Sequence, residues 1–179
     1  MRKLAFMAAL AAVALIVYIV ESLIPLPIAV PGAKLGLANA VTLFALFFGR
    51  DDGKLSVEGR AAAIPVLTVG DAFMVLLARI ILGALVTGRI IAFVYSIAGG
   101  LLGFSAQALV RRFVTNKQIW ACGAVGAVFH NIGQIGAAII VTGTPAIAAY
   151  LPVLIIIGVV TGVVTGLAAQ FIIARLEGK

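Results

Sequence analysis

Charge, cysteine and histidine are all scarce in this chain. Asp, Glu, Lys and Arg together make up 11% of its 179 residues, against about 25% in an ordinary soluble domain. Apolar residues make up 64%, and the mean hydropathy is +1.26. No single water-facing core hides that much apolar surface, so a soluble globular protein is excluded. The one cysteine, Cys122, forms no disulfide within the chain and has no Cys or His neighbour at metal-ligand spacing. The one histidine, His130, makes neither a metal site nor a catalytic triad by itself. No Walker A pattern occurs, so any use of ATP falls to other subunits. No catalytic residue, cofactor or metal is assigned.

What the chain has in abundance is apolar runs of membrane-spanning length. Read between charges and Gly or Pro punctuation, they cover 4–24, 35–48, 71–87, 90–109, 119–141 and 146–174. Six spans of about 20 residues use roughly 120 and leave about 59 for loops, too few for a separate soluble domain. The first run is followed by Pro25 and Pro27, as in a signal peptide. At about 21 residues it exceeds the usual 7–15 residue apolar region, and it is read as a retained helix. The expected architecture is all-α, about six transmembrane helices in one compact bundle spanning residues 1–179.

Cation placement sets the orientation, because cytoplasmic loops collect Lys and Arg. One side of the six-span arrangement takes Arg2, Lys3, Arg50, Lys54, Arg60, Arg111, Arg112, Lys117, Arg175 and Lys179; the other takes Lys34 and Arg89. Arg79 falls inside a span. Both termini are expected to be cytoplasmic, in a multi-pass protein of the cell membrane. The net charge of +7 is then a topology signal. Nucleic-acid binding is disfavoured, since the cations lie in short loops without interleaved aromatics. Residues 49–70 hold the longest charged stretch and are expected to form a cytoplasmic loop or insertion between helices 2 and 3, with Gly70 and Asp71 opening the third helix.

Polar groups at membrane depth are costly and mark function by default. They are Glu21, Asn39, Arg79, His130, Asn131 and Gln134, with Lys34 at the outer entrance to the second helix. The segment 25–32, with Pro25, Pro27, Pro31 and Gly32, is read as an ordered turn near the outer surface. On one reading these groups line an outward-facing pocket in which Arg79 and Lys34 hold an anionic or carbonyl part of a ligand and Glu21 balances charge. On the other, Arg79 pairs with Glu21 to keep the bundle neutral. His130 and Gln134, four residues apart, share a helix face, with Asn131 beside them. Polar packing between helices, ligand contact and proton relay remain open for these three.

Small residues are the other signal. Gly158, Gly162 and Gly166 leave one face of the last helix nearly bare, and Gly123, Gly126, Gly133, Gly136, Gly99, Gly100 and Gly103 do the same for its predecessors. Such faces let helices approach closely. Ala5, Ala8, Ala9 and Ala12 form overlapping small-xxx-small positions at the start of the first helix, a patch that can dock a partner helix.

The segments GAKLGLAN at 32–39, RIILGALVTG at 79–88, YSIAGGLLG at 95–103, HNIGQ at 130–134 and YLP at 150–152, in this order, resemble the Gx transporter family. That family is also catalogued as heptaprenyl diphosphate synthase component I. The resemblance covers nearly the whole chain apart from residues 49–70. The family in turn is similar to the substrate-binding S components of energy-coupling factor (ECF) vitamin transporters, six-helix bundles with cytoplasmic termini and an outer ligand site. In those proteins a small-residue patch on the first helix contacts the coupling component, a role the resemblance gives to Ala8 and Ala12. It implies a small-molecule substrate, surrounding membrane lipid, and a coupling membrane subunit with ATPases as partners. The synthase name implies instead an accessory membrane subunit in isoprenoid or quinone synthesis. Chain elongation itself needs clustered aspartates to hold magnesium on a diphosphate. The one acidic pair, Asp51 and Asp52, has no second cluster, so catalysis by this chain alone is not expected.

Overall fold

The computed structural model describes residues 1–24, 34–49 and 65–176. Six α-helices follow in order: α1 (Arg2–Glu21), α2 (Asn39–Phe47), α3 (Val69–Thr87), α4 (Ile90–Val110), α5 (Ile119–Thr142) and α6 (Leu151–Leu176). Short 3-10 turns at Asn116–Gln118 and Pro145–Tyr150 lead into the last two. No strand occurs among the described residues. The proline turn at 25–32 and the charged residues 50–60 of the connection between α2 and α3 lie outside the described residues.

Five helices are long and apolar enough to cross a membrane. The exception is α2, whose nine residues rise about 14 Å, half of a ~30 Å hydrocarbon core. The span expected at 35–48 is therefore corrected to a non-helical strap, Lys34 to Ala38, followed by a half-length helix. The physical reason lies in Gly36, whose φ of 81° is left-handed, and in the strap's backbone groups, which are taken up by side chains of α1 and α5. Residues Thr42 to Phe47 of α2 are all buried, so the short helix is the bundle's central element. Around it pack Leu76 and Ile80 of α3, Phe104 of α4, Ile119 and Cys122 of α5, and Ala169 and Ile173 of α6.

Alternating direction follows from the contacts. Lys3 pairs with Asp71 at 2.7 Å, which brings the starts of α1 and α3 together. The Phe73 and Phe104 rings lie 5.5 Å apart, while Gly100 faces Leu76 and Ile80, so α4 runs back against α3. A Cβ at Gly103 would meet the Gly126 carbonyl at 2.8 Å, and one at Gly133 the Ala98 carbonyl at 2.6 Å. One at Gly166 would meet Trp120 Cα at 2.5 Å. These backbone-to-backbone contacts make α4, α5 and α6 antiparallel neighbours at the close approach that small residues permit. Gly136 departs from the expected packing face: nothing lies within 4 Å of its Cβ position. Both described chain ends, Met1 and Leu176, thus sit at one end of the bundle; the strap sits at the other.

The start of α3 also differs slightly from expectation. Thr68 is the cap, its Oγ1 accepting from the Asp71 amide at 3.2 Å while Asp71 Oδ2 accepts from the Thr68 amide at 2.6 Å. Asp71 is therefore the third residue of the helix in a capping box, not its first. Outside the bundle, Ile16, Val20, Ile81, Leu85, Ile140, Ile156, Val160 and Val164 expose their side chains. A belt of this kind suits hydrocarbon surroundings and is unsuited to water.

Candidate functional site

The strap is fastened at three points. Gln134 grips it from α5: its Oε1 accepts from the Lys34 amide at 2.8 Å, and its Nε2 donates to the Lys34 carbonyl at 2.8 Å. Glu21, at the end of α1, accepts from the Gly36 amide at 2.6 Å, and the Leu37 amide bonds to the same carboxylate. These amides precede α2, so Glu21 occupies the anion position at that helix's N-terminus. The third fastening is the Lys34 side chain, which turns back to α1. Its Nζ lies 3.0 Å from the centroid of the Tyr18 ring and donates to Tyr18 O at 3.4 Å and to Ser22 Oγ.

Beneath the strap lie Asn39, Arg79 and His130. Arg79 is 2% exposed; its Nη2 donates to Asn39 Oδ1 at 3.1 Å, and its Nε has no partner. The guanidinium sits 5.8 Å from the Tyr18 ring, on which Lys34 also rests. His130 fills the space between two glycines. A Cβ at Gly36 would stand 2.9 Å from its Cδ2, and one at Gly99 would stand 2.8 Å from its Nδ1. Its Nδ1 has the Gly99 backbone close by but makes no hydrogen bond of normal geometry.

Of the seven polar residues expected from the sequence, six converge here: Glu21, Lys34, Asn39, Arg79, His130 and Gln134. Asn131 does not. Its Nδ2 donates to the Leu154 carbonyl at 2.6 Å, and a Cβ at Gly158 would stand 2.7 Å from it, so it ties α5 to α6 instead. The ion pair between Arg79 and Glu21, one of the two readings of the sequence, is not formed within 4 Å. Among the described residues the one ion pair within 4 Å is Lys3–Asp71, because amides of the strap take the Glu21 carboxylate and Asn39 takes Arg79.

Sequence reasoning missed Tyr18, Ser22 and Gly36. Tyr18 stands three residues before Glu21 and so on the same face of α1, a signal that was available. Ala8 and Ala12 are exposed on α1 together with Ala5 and Ala9, while Ala11 and Ala14 face inward. Cys122 is buried, with Sγ 3.3 Å from the Gln107 carbonyl. No group of three potential metal ligands occurs among the described residues. An apolar groove of about 780 Å³ opens between α4 and α5, lined by Val94, Ala98, Leu101, Gly133, Gly136 and Ile140 among others. Chemically, the polar centre offers a fixed cation and spare hydrogen-bonding nitrogens.

No curated protein and no solved structure matches the chain. The family described as heptaprenyl diphosphate synthase component I matches it over residues 10–57 and 60–172. That match takes in the strap, α2, α3, α4, α5 and the polar centre, and it runs through most of residues 49–70, breaking at 58 and 59. The chain belongs to the heptaprenyl diphosphate synthase component I family.

Proposed function

We propose that this is an integral membrane substrate-binding or transport protein of ECF S-component type, which takes up a small, amphipathic, vitamin-like or isoprenoid-like molecule. The observation that carries the reading is the buried polar centre under a strap: Arg79, 2% exposed, with an unpartnered Nε. A buried cation without a carboxylate is costly in a purely structural bundle and useful in a binding site. Lys34, Asn39, His130 and Gln134 complete or close the pocket, Glu21 balances part of its charge, and Asn131 supports it from behind.

The cation distribution supports cytoplasmic termini. Arg2, Lys3, Arg111, Arg112, Lys117 and Arg175 gather at the end that holds Met1 and Leu176, whereas Lys34 and Arg89 lie at the strap end. In the cell membrane the strap then faces outward, and residues 49–70 form a cytoplasmic connection within a single transmembrane domain. The exposed Ala8 and Ala12 offer a contact for a coupling membrane subunit, with ATPases supplying energy. Copurification from native membranes tests this. A coupling subunit and ATPases in stoichiometric amount support it, and their absence across mild detergents contradicts it.

A second reading rests on the family description: an accessory membrane subunit in isoprenoid or quinone synthesis, acting beside a soluble prenyl synthase. Stoichiometric recovery of such a synthase, without ATPases, favours that reading.

A further inference from the structure

Resting on the binding reading above, we infer that the site's ligand carries one negative charge, an oxyanion on an apolar body, and that Arg79 receives it. The argument begins with a charge count. The strap end of the bundle interior holds one carboxylate, Glu21, against two cations, Lys34 and Arg79. Residues 25–33, the remainder of the connection between α1 and the strap, contain no charged side chain. With His130 neutral the centre is one positive charge in excess.

The hydrogen bonds locate that excess at Arg79. Glu21 is committed to the amides at the start of α2, and Lys34 rests on Tyr18 and Ser22. Gln134 spends both ends of its amide on the Lys34 backbone. These three groups fasten the strap and have little left for a ligand. Arg79 spends one donor on Asn39 and leaves Nε unpartnered inside the bundle. Arg79 Nη2 lies 3.8 Å from the Cβ position of Gly100, whereas His130 turns its Nδ1 against Gly99. A guanidinium with an unspent N–H donor suits an oxyanion. The wall beside the guanidinium is apolar, since Gly100 also faces Leu76 and Ile80, which suits a hydrophobic body.

The test uses the full chain in a neutral maltoside detergent, with decanoate and decanol as probes that share a tail length and differ in head-group charge. Thermal unfolding reads binding as an upward shift that saturates with probe concentration. Decanoate is expected to raise the midpoint and decanol to leave it unchanged. The shift is expected to vanish in Arg79→Met and to persist in Gly136→Ala, which lies away from the polar centre. Without probe, Arg79→Met is expected to unfold no lower than the wild type, because it removes an uncompensated charge. Equal shifts from both probes would overturn the charge inference and leave the binding reading standing. No shift from decanoate, a shift retained by Arg79→Met, or a lower midpoint for Arg79→Met alone would each overturn the inference. The copurification result is independent of all of these.

Discussion

Gln134 holds Lys34 by its backbone, with two hydrogen bonds of 2.8 Å that pair a side-chain amide with a main-chain amide as neighbouring strands would. The contact joins residues 100 apart in sequence and closes the strap over the polar centre. Gln134→Leu leaves the Lys34 N–H and C=O without partners, each costing about 1–3 kcal/mol where water is excluded. A loss of roughly 2 kcal/mol or more is expected, with faster hydrogen exchange in a peptide spanning 34–38 and no change in one from α6. Unchanged exchange across the strap would show that Gln134 is not its fastening.

Gly36 is required twice over. Its φ of 81° costs an L-residue about 1–2 kcal/mol, and an added Cβ would stand 2.9 Å from His130 Cδ2. Gly36→Ala is expected to lower the unfolding midpoint and to move the His130 ring resonances. A variant with wild-type stability and an unmoved His130 would place the strap elsewhere.

Glycines in the helices are not equivalent. Gly162 approaches α5 so closely that a Cβ would lie 2.5 Å from the Gly123 carbonyl, whereas Gly136 faces open space. Gly162→Ala is expected to destabilise the bundle by forcing α5 and α6 apart. Gly136→Ala is expected to be neutral or stabilising by up to about 1 kcal/mol through helix propensity. Thermal unfolding of the two variants side by side decides it; equal losses would contradict the packing.

The capping box at the start of α3 gives a smaller effect. Thr68→Ala removes the acceptor for the Asp71 amide and is expected to cost about 1 kcal/mol. Lys3→Met removes an ion pair whose lysine is 44% exposed and is expected to cost less, within about 1 kcal/mol. Chemical denaturation comparing the two variants checks the order, and a larger loss for Lys3→Met would reverse the account of this junction.

Long apolar runs made five of the helices legible, because spanning length and hydropathy leave few alternatives for them. The half-length α2 was not: residues 35–48 carry no charge and only Asn39 and Thr42 as polar side chains, and such runs do not reveal where the backbone stops being helical. What ends the helix is tertiary, namely Gln134 and Glu21 reaching in from distant segments to take the strap's hydrogen-bonding groups. The polar centre was largely legible, since Glu21, Arg79, His130 and Gln134 are expensive at membrane depth and have little reason to stand apart. Their partners were not. Opposite charge suggested Arg79 with Glu21, but the amides before α2 hold the carboxylate more directly. Asn131 shows the limit of helix-face reasoning: one position from His130, it points to α6 and the Leu154 carbonyl.

The most direct test of a ligand site centred on Arg79 is native mass spectrometry of protein gently extracted from its own membranes, comparing wild type with Arg79→Leu and Gly136→Ala. A small molecule retained by the wild type and by Gly136→Ala, and lost from Arg79→Leu, is the predicted result. Equal retention by folded Arg79→Leu protein, or no retained molecule in any of the three, would contradict the account.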